Sequence, residues 1–307
     1  MPAIDVRDIK KHYGATRAVD GITFQVADRE IFGMLGPNGA GKTTTTEIIE
    51  GLRQPDEGTV TVLGLDVRHN GRQVKSRIGI QLQTTALYPR LNVREVLDLF
   101  ATFYKGEKRS TDELIDLVNL REKEKTLSKE LSGGQQQRLS VALALINKPE
   151  IVFMDEPTTG LDPQARRNMW DTIRGVRDGG ATVFLTTHYM EEAETLCDRV
   201  AVVDAGKIIA LDTPAALISQ NFKETAIEFE LRGDMPPEGT FRKLPGIASP
   251  AVREANRVTL YTTDTTATLS GLSRLADAGA IRFDALSLRR ATLEDVFLKL
   301  TGKRMRE

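Results

Sequence analysis

The alternation of apolar and polar positions sets out the elements before any chemistry is considered. Between residues 4 and 26, short β-type runs such as Ile22-Thr23-Phe24-Gln25-Val26 alternate with turn formers at Gly14 and Asp20-Gly21, which predicts antiparallel strands. Ile31 to Leu35 is apolar, Gly36 to Gly41 is a glycine-rich turn, and Lys42 to Glu50 is predicted to be a helix stopped by Gly51. Thr43, Thr44, Thr45 and Thr46 are β-branched and poor helix formers, so something other than local preference has to hold that helix. Val93 to Thr126 is charged and mainly helical in pattern, with the clusters Lys105 to Arg109 and Arg121 to Lys125 expected on solvated helix faces. Ile151 to Met154, Thr182 to Thr186 and Val200 to Val203 have the length and flanks of buried strands, with a helix expected around Gln164 to Arg177. Strands alternating with helices predict a parallel sheet covered on both faces, with ligands at the carboxyl ends of its strands.

Near residue 222 the organisation changes. Thr213-Pro214 opens a short helix ending near Gln220, and Thr225 to Leu231 starts a new alternating strand. Strand-like Val258 to Tyr261 and Ile281 to Leu286, with helical patterns near 267 to 279 and 292 to 300, predict a small α+β domain over residues 223–307.

Composition bounds the function. Of 307 residues, 40% are hydrophobic and 28% charged, as in soluble globular proteins. The net charge is -1, from 42 basic and 43 acidic side chains, so no global field draws the chain to nucleic acid or to an anionic membrane. Nucleic acid is therefore not an expected partner. One cysteine, Cys197, excludes an internal disulfide and fits a reducing compartment. No apolar run approaches the ~18 residues that span a bilayer, and Met1 to Gly14 lacks the pattern of a secretion signal. The expected location is the cytoplasm, and any membrane-embedded part has to come from another polypeptide.

Three motifs carry chemistry. Gly36-Pro37-Asn38-Gly39-Ala40-Gly41-Lys42-Thr43 fits the phosphate-binding loop G-x-x-x-x-G-K-[ST]. Its glycines let backbone N–H groups turn inward on phosphates, the helix start adds positive potential, Lys42 reaches the β- and γ-phosphates, and Thr43 offers a hydroxyl to Mg²⁺. Ile151 to Met154 then delivers two adjacent acids: Asp155, suited to Mg²⁺, and Glu156, suited to activating the attacking water. An acidic pair after a strand is more often a helix cap when it stands alone; beside a phosphate loop the balance reverses. The third motif is Leu131-Ser132-Gly133-Gly134-Gln135, opening a helix expected to run to about Asn147. Read physically, its hydroxyl and backbone N–H groups make a second anion cradle, although a simply capped helix has the same pattern.

With these five residues the chain resembles the ABC ATPase family, over residues 1 to about 220. The resemblance implies an α/β fold of the P-loop NTPase class, ABC type: a mostly parallel sheet with an antiparallel β subdomain and a helical subdomain, over residues 1–222. It implies ATP and Mg²⁺ as ligands and a head-to-tail homodimer, in which Leu131 to Gln135 of one copy close on the ATP held by the other. Further positions match one by one. Tyr13 resembles the aromatic residue that stacks on adenine, and Thr44, beside the Mg²⁺-binding Thr43, is expected among the nucleotide-binding residues. Gln83 resembles the glutamine that senses Mg²⁺ and couples to the membrane partner, with Gln81 as a rival in the same stretch. Thr159-Gly160-Leu161-Asp162 resembles the loop linking the two sites, and His188 the histidine that contacts the γ-phosphate. Ser287 to Phe297 looks like the tail domain of drug- and antibiotic-export ATPases. Together these matches imply an ATPase driving a separate integral membrane permease, peripheral to the inner face of the membrane, in the export direction. An importer ATPase and a soluble ABC ATPase without a permease remain open at this point.

Overall fold

The computed structural model describes residues 1–82, 87–233, 236–237, 239–249 and 251–302. Two compact units divide the chain, one covering Met1–Pro214 and the other running from Ala215 onward.

The first unit opens with β1 (Ile4–Tyr13) and β2 (Thr16–Val26), an antiparallel pair turning at Gly14. Next come β3 (Ile31–Leu35), α1 (Lys42–Ile49), β4 (Glu57–Val62), β5 (Leu65–Asp66), α2 (Val67–Arg77) and β6 (Ile78–Gln81). Helices α3 (Val93–Ala101), α4 (Thr111–Leu117) and α5 (Gly133–Ala144) then lead to β7 (Ile151–Asp155), α6 (Pro163–Asp178), β8 (Thr182–Thr187) and α7 (Met190–Leu196). β9 (Arg199–Asp204) and β10 (Lys207–Asp212) complete the run, and α8 (Pro214–Asn221) begins at the boundary and belongs almost wholly to the second unit. One sheet has four antiparallel strands in the order β2-β1-β4-β5. The other has six, in the order β10-β9-β3-β8-β7-β6, all parallel except β10. β3, β7 and β8 are central and almost wholly buried, in keeping with the apolar residues of β3 and β7 and the Val183-Phe184-Leu185 centre of β8. Phe24, Phe32, Phe153 and Phe184 pack ring to ring through this core, with centroids 5.1 to 6.1 Å apart.

Burial and back-bonding hold the threonine-rich helix. The Thr45 hydroxyl donates to the Gly41 carbonyl at 2.9 Å and that of Thr46 to the Lys42 carbonyl at 3.1 Å, while Ile48 and Ile49 lock α1 into the core. Two expectations fail locally. Lys105 to Arg109 is irregular chain and not a helix face; Arg109 N–H donates to the Ile146 carbonyl and Lys148 pairs with Glu107. α5 ends at Ala144 and not near Asn147, because Leu145 and Lys148 close turns and the Asn147 amide donates to the Ser76 and Ile78 carbonyls.

After α8, the second unit is a four-stranded antiparallel sheet with two helices. β11 (Thr225–Leu231), β12 (Val252–Glu254), β13 (Arg257–Thr262), α9 (Thr265–Asp277), β14 (Phe283–Arg290) and α10 (Leu293–Thr301) give the strand order β12-β13-β11-β14. Arg289 on β14 reaches Glu228 on β11 at 2.8 Å and Asp295 on α10, which also accepts from the Tyr261 hydroxyl. These charged partners account for part of the sequence pattern that ends the chain. β14 starts later than the apolar pattern predicts, at Phe283, since Ile281 is buried before the strand begins.

Candidate functional site

The carboxyl ends of β3 and β7 and the turn after β8 converge on one cleft of about 670 Å³. Tyr13, Pro37, Asn38, Gly39, Gly41, Lys42, Thr43, Thr44, Asp155, Glu156 and His188 all line it. Gly36 and Ala40 are buried in the same loop, while Leu131 to Gln135 and Asp162 stand away from this cleft. Gln83 lies outside the described residues. Gln81 is buried at the end of β6, and its amide donates to the Leu82 carbonyl at 2.6 Å.

Glycine is required in the turn for two separate reasons. A Cβ at Gly36 would come within 2.3 Å of the Val203 carbonyl oxygen, and one at Gly41 within 2.2 Å of that of Ala18. Gly41 also caps α1 with φ of +101°, a conformation costly for any other residue. The loop therefore rests on backbone and presents its N–H groups at a helix start, an arrangement suited to anions. Within it Lys42 is only 5% exposed, and its ammonium donates to the Gly36 carbonyl at 2.7 Å and the Pro37 carbonyl at 3.2 Å. Burial pushes its pKa down, and the charges of Glu156, 3.5 Å away, and Asp155 oppose that.

The two acids are held by a residue that the sequence reading did not single out. The Thr186 hydroxyl, at the end of β8, donates to Asp155 Oδ1 at 2.5 Å and accepts from the Glu156 N–H at 3.1 Å. A β-branched residue in a buried strand carries no local signal of such a role. Glu156 itself has φ of +47°, a strained conformation for a non-glycine residue that the surrounding contacts enforce. Thr159 donates its hydroxyl to Glu156 Oε2 at 3.1 Å, and His188 brings Nδ1 to 3.2 Å of the same oxygen. A basic ammonium, a carboxylate and an imidazole thus meet at the mouth of the phosphate loop. Among the described residues, no cluster of three or more His, Cys, Asp or Glu side chains is arranged to hold a metal alone. Thr43 and Asp155 suit Mg²⁺, which takes one or two protein oxygens and completes its shell with substrate phosphates.

A neighbouring carboxyl yields a prediction. Glu50, at the end of α1, is 4% exposed, and burial, with the charges of Asp155 and Glu47, pushes its pKa up to about 8. Because the folded value lies above the unfolded one, folding favours the protonated form. The resulting stability is complete below about pH 4.5 and is lost as pH climbs towards 8. Glu50→Gln removes that cost, on the order of 2 kcal/mol at pH 8 after allowance for partial hydration. Its Tm at pH 8 is expected to exceed that of the unmodified protein by about 4 to 8 °C, and the two should converge near pH 4.5. Equal Tm values across that range would contradict the assignment.

Comparison with known proteins fits this site. The family model described as ABC transporter matches residues 19–159. The daunorubicin resistance ATP-binding protein DrrA3 of Streptomyces coeruleorubidus is 39% identical over 306 residues, covering 98% of this chain and 96% of that protein. The chain belongs to the ABC transporter family. Another relative of this ABC protein is the Nod factor export ATP-binding protein I of Paraburkholderia xenovorans, 38% identical over 99% of both chains. A dimeric ATP-binding cassette solved in a post-hydrolysis state with ADP and Pi matches with a TM-score of 0.61 and 25% identity, over 68% of this chain and 98% of that one. Family membership makes the chain an ATPase that works on ATP with Mg²⁺.

The signature segment of this ABC ATPase is a capped helix start, one of the two readings the sequence left open. Ser132 caps α5: its hydroxyl accepts from the Gln135 N–H at 3.3 Å, and the Gln135 side chain accepts from the Ser132 N–H at 2.9 Å. Ser132 and Gly133 nevertheless remain exposed. A Cβ at Gly134 would stand 3.0 Å from that of Ala165 on α6, so the segment sits tightly on the helix capped by Asp162. Asp162 accepts from the N–H groups of Gln164 and Ala165 at 2.9 and 2.8 Å. Tyr13 is 44% exposed, and Arg53 lies 5.4 Å from the centre of its ring.

Proposed function

We propose that this chain is the ATP-hydrolysing motor of an exporter whose membrane-spanning permease is a separate polypeptide. Residues 1–222 form the ATP-binding domain and 223–307 an accessory domain in this reading. The observation that carries it is the meeting of Lys42, Glu156 and His188 within 3.5 Å contacts at the phosphate loop, while the exposed cradle of Ser132 and Gly133 stands outside that cleft. A helix start that is exposed at Ser132 and Gly133 and does not line the chain's own cleft could grip the nucleotide of a second copy, which supports a head-to-tail homodimer enclosing two ATP molecules.

The residues then have distinct tasks. Tyr13 offers its exposed ring to the adenine, the N–H groups of Gly39 to Thr44 hold the phosphates, and Lys42 exchanges its loop carbonyls for phosphate oxygens. Glu156 accepts a proton from the attacking water, in an orientation held by Thr186 and Thr159. His188, beside Glu156, is placed to hydrogen-bond the γ-phosphate. Thr43 and Asp155 would hold Mg²⁺, which supplies charge neutralisation on the phosphates; Gln83 would join them and pass the nucleotide state to the permease. Drug-resistance and Nod factor export proteins among the relatives favour the export direction. No helix among the described residues is long and apolar enough to cross a membrane, in keeping with a separate permease and a place at the inner face of the membrane.

Purification of the tagged chain from a detergent extract tests this reading. An integral membrane protein in stoichiometric amount is the expected companion. Ribosomes or DNA without any membrane protein would refute it.

A further inference from the structure

A second carboxyl group, which does not line the nucleotide cleft, lies where three elements around Glu156 meet. Glu192 on α7 is wholly buried, and its Oε1 accepts from the Trp170 indole N–H on α6 at 3.1 Å. Its other oxygen, Oε2, is buried without a hydrogen bond. Thr158, also wholly buried, has a hydroxyl in the same condition. The two are neighbours: the hydroxyls of Thr158 and Thr187 both act on the Glu192 carboxyl, opposing the rise in its pKa that burial causes.

Each neighbour belongs to a piece of the hydrolytic site. Thr158 is two residues past Glu156 and one before Thr159, which donates to Glu156. Thr187 directly precedes His188 and accepts from the Tyr189 N–H at 2.9 Å. Arg166 on α6 stacks on the Tyr189 ring at 4.4 Å and lies 3.8 Å from Glu191, and its charge also acts on Glu192. The strand end carrying His188, the loop running from Glu156 to Asp162, and α6 all touch one buried side chain.

A buried acceptor and a buried hydroxyl that act on each other short of a well-formed hydrogen bond carry a cost that a small movement of the loop removes by completing it. We propose that Glu192 is a positioning residue for ATP hydrolysis: anchored by Trp170, it accepts a hydrogen bond from Thr158 that fixes the Glu156–Asp162 loop against the His188 turn. The bond holds Glu156 and His188 at the 3.2 Å separation they already have, restraining the loop between them, and touches no nucleotide. This inference rests on the reading of Glu156 as the base and adds the group that sets its position.

The test compares kcat, KM and ATP affinity for Thr158→Val, Glu192→Ala, Glu192→Gln and Glu156→Gln, with Tm measured for each. Thr158→Val keeps the shape and removes an unpaired buried hydroxyl, so a merely structural role predicts an unchanged or raised Tm with normal turnover. Positioning predicts a kcat about tenfold lower, with Tm not reduced and ATP affinity within twofold. Glu192→Ala is expected to lose about 30-fold in kcat. Glu192→Gln keeps an acceptor for Trp170 and can donate its amide to the Thr158 oxygen, so it should stay within about threefold of the unmodified rate. Normal kcat in Thr158→Val and in folded Glu192→Ala, beside an inactive Glu156→Gln, would overturn the positioning role and leave the base standing. Normal turnover in Glu156→Gln would remove the base assignment and this inference with it.

Discussion

Glu156→Gln is expected to bind ATP normally and to hydrolyse it about a thousandfold more slowly, within the range lost when a general base is removed. The amide keeps the size of the carboxyl and can still accept from Thr159, so the loop and its strained backbone at φ +47° should persist. What it loses is a lone pair basic enough to take the proton from water. The substitution also releases Lys42 from an anion 3.5 Å away, which frees its ammonium for phosphate oxygens and works against any loss of ATP affinity. If two copies share each nucleotide, the closed pair should accumulate, because ATP stabilises the closed state and hydrolysis no longer removes it. Phosphate release together with size-exclusion light scattering checks both parts. Ordinary turnover would sink the base assignment, and a strictly monomeric ATP-loaded preparation would sink the shared site.

Lys42→Ala acts on an earlier step. The side chain is only 5% exposed and its hydrogen bonds run to the loop's own carbonyls, so the ammonium is already held where phosphate oxygens would replace them. Deletion removes a charge-assisted contact and leaves Glu156 and Asp155 facing a triphosphate with less opposing charge. Losses of about 2 to 4 kcal/mol are usual when one partner of a buried charged pair is truncated, and about 100-fold weaker ATP binding follows. Folding should suffer less than binding, because burial already disfavours the charged form of this lysine. Titration calorimetry with ATP and Mg²⁺ measures the affinity directly, and an unchanged value would remove Lys42 from the phosphate cradle.

Much of the site was legible because it is built from local patterns. The strand ending at Leu35, the glycine turn and Lys42-Thr43 are contiguous, and so are β7 and its two acids. The apolar runs of β3, β7 and β8 marked strands buried on both faces, so their limits were predicted to within a residue. Contacts made across the fold were not legible. Thr186 looks like any β-branched strand residue until the parallel pairing of β7 and β8 sets it opposite Asp155. Glu192 sits in a charged stretch that gives no sign of complete burial, and the tryptophan that meets it is 22 positions away. Lys105 to Arg109 misled because a run of charges reports exposure and not helical period. The threonine-rich α1 was recognised as an anomaly, but its explanation, hydroxyls turned back on the preceding turn, needed coordinates.

The close approach of Gly134 to Ala165 reaches beyond one molecule. Under the proposed shared site, the segment that one copy would lend to its neighbour's ATP lies against α6, the helix that follows the loop from Glu156 to Asp162. If two copies share each nucleotide, a side chain at position 134 would push this segment off α6, so Gly134→Ala is expected to disturb the shared site while leaving the chain's own phosphate loop intact.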